Sequence, residues 1–141
     1  MENNLNEWNR KVIDDFRANG GKVNGQLGGV PLLLLTTTGA KSGLRRVLPL
    51  GYLTDGERLI VAASKQGAPT HPAWYHNLLA HPEVTVEVGN ECFTAIAAVV
   101  EGEERERLWA RALEQFRFLG EHQSKTTRQI PLVALERSSH P

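Results

Sequence analysis

Residues 32–50, LLLLTTTGAKSGLRRVLPL, constrain the chain more than any other stretch. An apolar run of four leucines passes into three threonines. A turn of small residues follows, and a second apolar segment begins with two arginines. That layout predicts a buried strand, a loop held at its end, and a second strand leaving through cations. The loop gathers hydroxyls, backbone amides and the charges of Lys41, Arg45 and Arg46, and no acid occurs between Leu32 and Leu50. Such a loop favours an anionic group, phosphate or carboxylate, through charge-assisted hydrogen bonds. A solvated hairpin turn is the competing reading of the same residues.

Two familiar phosphate motifs are excluded. Gly39-Ala-Lys-Ser-Gly43 lacks the Gly-x-x-x-x-Gly-Lys-Ser/Thr order, and no dinucleotide fingerprint occurs there. Sixteen basic and sixteen acidic residues cancel. A dedicated nucleic-acid binder carries a basic excess, so the local cluster points to a small anionic partner. At 141 residues the expectation is one domain over 1–141, able to bury about two-thirds of its unfolded surface. Cys92 stands alone, so no intramolecular disulfide forms, and its β-prone apolar surroundings predict a buried thiol. The N-terminal residues lack a signal-peptide layout and no apolar run reaches about 20 residues. The expected compartment is the cytoplasm.

Leu5, Trp8, Val12 and Phe16 recur at three- and four-residue steps, predicting an amphipathic helix stopped by Gly20 and Gly21. Its polar face mixes signs, which favours packing on the core over membrane contact. Gly25, Gly28 and Gly29 form a loose connector. After the basic loop, residues 47–53 read as a second strand. Asp55-Gly56 is a two-residue hairpin signal, with a returning strand over 58–63. Residues 64–69 are a loop and 71–80 a helix. Residues 84–88 alternate cleanly, Gly89-Asn90 turns the chain, and 92–100 returns. An amphipathic helix from about 103 to 118 and a strand over 130–135 complete the order. Six short antiparallel strands and few helices suit an α+β barrel that closes its own edges.

A second cluster lies in residues 62–77, where Ser64, Lys65, Trp74, His76 and Asn77 could hold a flat, polar-edged ring by stacking and donors. Read alone, Trp74 is a core residue. His71, His76 and His81 are spaced by five, which turns successive side chains by about 140° on a helix, so no metal site is expected.

The motifs Thr36-Thr-Thr-Gly-Ala-Lys-Ser-Gly-Leu-Arg-Arg46, Pro49-Leu50, Ala62-Ala-Ser-Lys65, Pro72-Ala-Trp-Tyr-His-Asn77 and Gln123-Ser-Lys-Thr-Thr-Arg-Gln-Ile-Pro131 together resemble the deazaflavin-dependent nitroreductase family. The resemblance implies a six-stranded antiparallel split β-barrel with an N-terminal helix and two further helices. It implies coenzyme F420 as cofactor, an 8-hydroxy-5-deazaflavin with a phosphate and a polyglutamate tail. By the same resemblance Lys41, Ser42, Arg45 and Arg46 would face the phosphate and carboxylates. Val47, Leu48, Pro49, Leu50 and Gly51 would flank the ring and its ribityl chain. Ala62, Ala63, Ser64 and Lys65 would line the ring with Ala73, Trp74, Tyr75, His76 and Asn77, Trp74 as an apolar wall. Ser64 would donate to a substrate oxygen.

The implied chemistry is hydride transfer from reduced cofactor to a small electron-poor acceptor: a quinone, enone or nitroaromatic. A non-catalytic F420 or flavin carrier is the alternative. A dehydrogenase that recharges the cofactor would meet this chain only through the shared coenzyme, and the chain would be a monomer or homodimer. Where the family carries substrate-pocket tyrosines, this sequence has Phe116, Leu119 and His122. An apolar wall and one imidazole replace the phenols, which weakens the case for nitroimidazole reduction. His122 becomes a candidate proton donor, against a plain surface histidine.

Overall fold

The computed structural model describes residues 2–21 and 31–138. The glycine connector at Gly25, Gly28 and Gly29 lies outside the described residues, as does the side chain of Leu5. The chain runs α1 (Glu2–Ala18), β1 (Leu32–Thr38), β2 (Arg45–Gly51), β3 (Leu53–Asp55) and β4 (Arg58–Ala62). A short 3-10 turn (Lys65–Gly67) and α2 (Ala73–Ala80) follow. Then come β5 (Glu83–Val88), β6 (Glu91–Val99), α3 (Gly102–Gln115), α4 (Phe118–Ser124) and β7 (Leu132–Arg137).

All seven strands join one antiparallel sheet in the order β2-β1-β5-β6-β7-β4-β3. Its two edge strands, β2 and β3, are separated in sequence by Tyr52 alone. One continuous segment therefore supplies both edges, and the curled sheet closes into a split barrel. The sequence predicts a single strand over 47–53. The structure divides it because its first half pairs with β1 and its second with β4, and the chain bends at Tyr52 to change partner. Both two-residue turns form as expected, with Asp55 opposite Arg58 and Val88 opposite Glu91.

Strand alternation sends the two sheet faces into two cores. Inside the barrel lie Leu33, Leu35, Val61, Val84, Val86, Ala95, Val133 and Leu135, plugged by Trp74 and Leu78 of α2. On the outer face Leu53, Ile60, Leu132 and Ala134 pack under Leu108, Ala112, Phe116 and Leu119. Each fully buried leucine contributes about 1.5–3 kcal/mol of transfer free energy. In α1, Val12 and Phe16 are buried. Gly21 closes that helix with its N–H on the Phe16 carbonyl at 2.8 Å, and its φ of 90° needs glycine.

Two expectations are corrected. Helix α3 ends at Gln115 instead of running to 118, because Phe116 leaves helical geometry to bury its ring; a separate α4 begins at Phe118, giving three helices beyond α1. Cys92 is exposed, not buried. Ala95 and Ala97 face the barrel interior, so the period of two puts Cys92 on the outside with Thr94 and Ile96.

Candidate functional site

The basic loop is built on its own hydrogen bonds. Gly39 N–H donates to the Leu44 carbonyl at 2.8 Å and Gly43 N–H to Gly39 at 2.9 Å. The Ser42 hydroxyl accepts from Leu44 N–H at 3.1 Å. A tether reaches it from α2: Asn77 Oδ1 accepts from Ala40 N–H at 3.0 Å, while Asn77 Nδ2 donates to Thr37 Oγ1 at 3.4 Å. Asn77 thus fixes the loop to the barrel end, 37 residues away in sequence.

Lys41, Ser42, Arg45 and Arg46 are all exposed there. Arg45 donates to Thr85 Oγ1 at 2.8 Å. Among the described residues, no side-chain hydrogen bond or ion pair holds Lys41 or Arg46. Elsewhere cations do find acids, as in Arg17–Glu87 and Arg58–Glu104. Two exposed cations with no side-chain partner among the described residues, one on a braced loop and one at the start of β2, are chemically suited to an anionic partner.

Strand β2 leads from this loop to a cavity. Leu48 and Leu50 pack toward the barrel interior, so Arg45, Val47, Pro49 and Gly51 share the outward row. Six strand steps separate Arg45 from Gly51, about 20 Å at roughly 3.3 Å each. At the far end a cavity of about 250 Å³ is lined by Pro49, Leu50, Gly51, Ala62, Ser64, Phe116 and Leu119, all predicted site residues, joined by Trp8, Leu32 and Phe118. Its wall is almost wholly apolar. Trp8 is 39% exposed and Phe118 48%, so both stand at its rim.

Ser64 is the cavity's polar atom of interest. Its Oγ lies 3.3 Å from His122 Nδ1, joining two candidate residues 58 apart in sequence. The His122 ring also packs against Phe118 at 5.1 Å between centroids. Burial lowers the His122 pKa below its ordinary 6.5, with Lys125 adding to the shift and Glu121 opposing it. The imidazole is therefore chiefly neutral at pH 7, able to donate or accept at Nδ1 according to tautomer.

The segment bearing Ser64 is gripped by Arg128. Its guanidinium donates to the carbonyls of Ala63 at 3.1 Å, Ser64 at 2.6 Å and Ala68 at 2.8 Å. It also meets His71 Nδ1 at 3.0 Å. A guanidinium only donates, so His71 accepts at Nδ1 and carries its proton on Nε2; burial and the Arg128 charge lower its pKa. Gln123 in turn holds the Arg128 carbonyl at 2.7 Å and the Ile130 N–H at 2.9 Å. Lys65 adopts φ 47°, an uncommon left-handed conformation for a side-chain-bearing residue, beside this grip.

The remaining predicted residues divide. Trp74 is buried in the inner core and Ala63 is fully buried, and neither lines the cavity. Tyr75 packs tilted against His71 at 4.7 Å between centroids, His76 and Ala73 are exposed, and Lys65 donates to Thr70 at 3.2 Å. Val47 is half-buried on the outward row of β2. Sequence reasoning missed Trp8, Phe118 and Arg128. Only the arginine had a signal, its place inside the matched tail motif. A larger cavity, about 450 Å³, lies over the outer face of β5, β6 and β7 and contains none of the predicted residues.

A family profile described as F420H(2)-dependent quinone reductase matches residues 8–137. The chain belongs to that family. It is 39% identical over 127 residues to an F420H(2)-dependent quinone reductase of Mycobacterium tuberculosis, covering 86% of this chain and 85% of that protein. A solved F420-H2 dependent reductase, FDR-A, superposes with a TM-score of 0.70 at 43% identity, over 75% of this chain and 94% of its own. A structure described as a domain-swapped dimer gives 0.72 at 36% identity, over 96% and 100%. Family membership makes this an F420H2-dependent reductase with coenzyme F420 as its cofactor. The residues present fit that group: Lys41 and Arg46, without side-chain partners among the described residues, suit its acidic tail, and an apolar cavity toward the other end of β2 suits its ring.

Proposed function

We propose that the chain reduces a quinone-class acceptor, with Ser64 and His122 supplying the proton to oxygen. The observation that carries this reading is the Ser64 hydroxyl in an otherwise apolar cavity, contacted by His122, which is not itself among the lining residues. When bound, the reduced coenzyme supplies a hydride. A quinone that gains a hydride becomes a hydroquinonate and needs one proton on oxygen to become the hydroquinone. In its imidazolium form His122 gives its Nδ1 proton to Ser64 Oγ as the Ser64 hydroxyl gives its own to the acceptor oxygen, which leaves a neutral imidazole. The negative charge that grows on that oxygen is offset in a site that excludes water. Solvent then reprotonates the imidazole.

Pro49, Leu50, Phe116 and Leu119 wall the cavity that suits the coenzyme ring, so an acceptor laid against that ring meets an apolar surround with no side-chain carboxylate to repel developing charge. On this reading Lys41 and Arg46 hold the coenzyme's tail, Arg45 and Ser42 support them, and Arg128 keeps Ser64 in place. The relatives named quinone reductases support the acceptor class. The related domain-swapped dimer supports a homodimer as the working assembly.

Anaerobic mixing of the protein, reduced coenzyme and a soluble quinone tests the proposal. Quinone-dependent reoxidation of the deazaflavin is expected, slowed about 10²-fold in Ser64→Ala with coenzyme affinity kept. No oxidation by any quinone, alongside turnover of an enone or a nitroaromatic, would contradict it.

A further inference from the structure

On the far side of α4 from Ser64, α3 and the 125–131 segment frame a second cleft of about 400 Å³. Its floor is Arg105. That residue is only 9% exposed, yet among the described residues its side chain has no acid and no hydrogen-bond acceptor. Its one contact of note is Trp109, with the guanidinium carbon 5.0 Å from the ring centroid. Burial alone lowers its pKa, with no neighbouring carboxylate opposing the shift. Every fully buried side-chain nitrogen or oxygen among the described residues has a partner, so the Arg105 nitrogens open into the cleft. Among the described residues its charge is met only by the Trp109 ring, so its hydrogen-bonding positions face whatever enters the cleft.

The other walls suit a ligand of one kind. The indole of Trp109 offers an apolar face, and Thr127, Gln129 and Gln123 offer neutral hydrogen-bonding groups. Gln123 already holds Arg128 and Ile130, which leaves Thr127 and Gln129, both exposed at the rim. Glu106 is the one acid in the lining. A second charge on a ligand would double its attraction to Arg105 and its repulsion from Glu106 alike, so the charges do not set the ligand's valence. The indole does discriminate: it rewards a ligand that carries an apolar body beside its anionic group, which inorganic phosphate lacks.

We propose that this cleft is a second binding site, for an aryl or aliphatic carboxylate. The carboxylate pairs in two-pronged fashion with Arg105, whose plane Trp109 fixes, and the apolar body lies along the indole. The site is separate from the coenzyme cavity, since the two share no lining residue.

Isothermal titration of the full chain with benzoate tests this, with inorganic phosphate as a parallel arm. Saturable one-to-one binding of benzoate is expected, with phosphate weaker. Arg105→Met, which keeps the packed stem, should weaken benzoate about tenfold or more, and Arg105→Lys by less. Thr127→Val at the exposed rim should weaken it too, which guards against a folding defect in the first variant. Benzoate should still bind after saturation with oxidised coenzyme. No saturable heat, or equal affinity in Arg105→Met, would overturn the site. Phosphate binding more tightly would overturn the ligand class, and loss of binding with coenzyme present would overturn its separateness.

Discussion

At the scale of single residues, two pairs carry the account. Among the described residues Lys41 and Arg46 have no side-chain partner, which suits them to an anionic ligand. Lys41→Ala or Arg46→Ala should weaken coenzyme binding about tenfold each, and the loss should shrink as salt is raised, since exposed charges are screened beyond about 10 Å. A fluorescence titration at two ionic strengths reads both effects. Ser64 and His122 form the second pair. Burial keeps the His122 pKa below 6.5, so its protonated, proton-delivering form grows in only as pH falls below that value. The quinone-reduction rate should rise down that limb in the native chain. In His122→Gln, which can still hydrogen-bond Ser64 but cannot titrate, the limb should flatten. An unchanged profile in that variant would remove His122 from proton delivery.

At the scale of elements, long-range clamps decide whether the site exists. Arg128 satisfies three backbone carbonyls on the loop that presents Ser64. Arg128→Met would orphan them and should destabilise the chain by about 3 kcal/mol, read as a shifted denaturant midpoint. A different network ties the β3–β4 hairpin to α3. Asp55 accepts from Arg107 at 3.1 Å and from Arg58 at 2.5 Å, with Arg111 at 3.5 Å. Arg107 first and Arg58 second hold the Asp55 pKa down to about 2, against 3.8 when unperturbed. A carboxyl depressed by folding stabilises above its unfolded pKa and loses that contribution as pH falls through the folded one. The stability gap between native chain and Asp55→Asn should therefore close between pH 3.8 and about 2, measurable by thermal melts.

The same elements show what the sequence made legible. The leucine run, the two hairpin turns and the basic loop are local patterns, and each lies where its residues predict. Arg128 acting on residues 60 to 65 positions away, and Asn77 on Ala40, are contacts that no local pattern encodes. The outward phase of Cys92 was ambiguous because Ile96, Ala98 and Val99 make both faces of β6 apolar. Phe116 looked like one more helical residue, and only its burial against the outer core explains the break before α4.

At the scale of the whole molecule, closure of the sheet sets the distance between the two halves of the site. Because one segment supplies both barrel edges, β2 is held along its length, with the cationic loop at one end and the apolar cavity at the other. No helix among the described residues is long and apolar enough to cross a membrane. Arg46 lies three strand steps from Pro49 and five from Gly51, about 10 to 16 Å at roughly 3.3 Å each, a separation that suits a ligand whose acidic tail and apolar head are held apart. The most direct measurement compares intact coenzyme F420 with its deazaflavin ring-and-ribityl portion lacking phosphate and glutamates. Both are titrated into the native chain and into the Lys41→Ala/Arg46→Ala double variant. The account predicts that the native chain prefers the intact coenzyme by about tenfold or more, and that the double variant loses this preference while still binding the head. Equal binding of the two ligands by the native chain, or a preference that survives in the double variant, would contradict it.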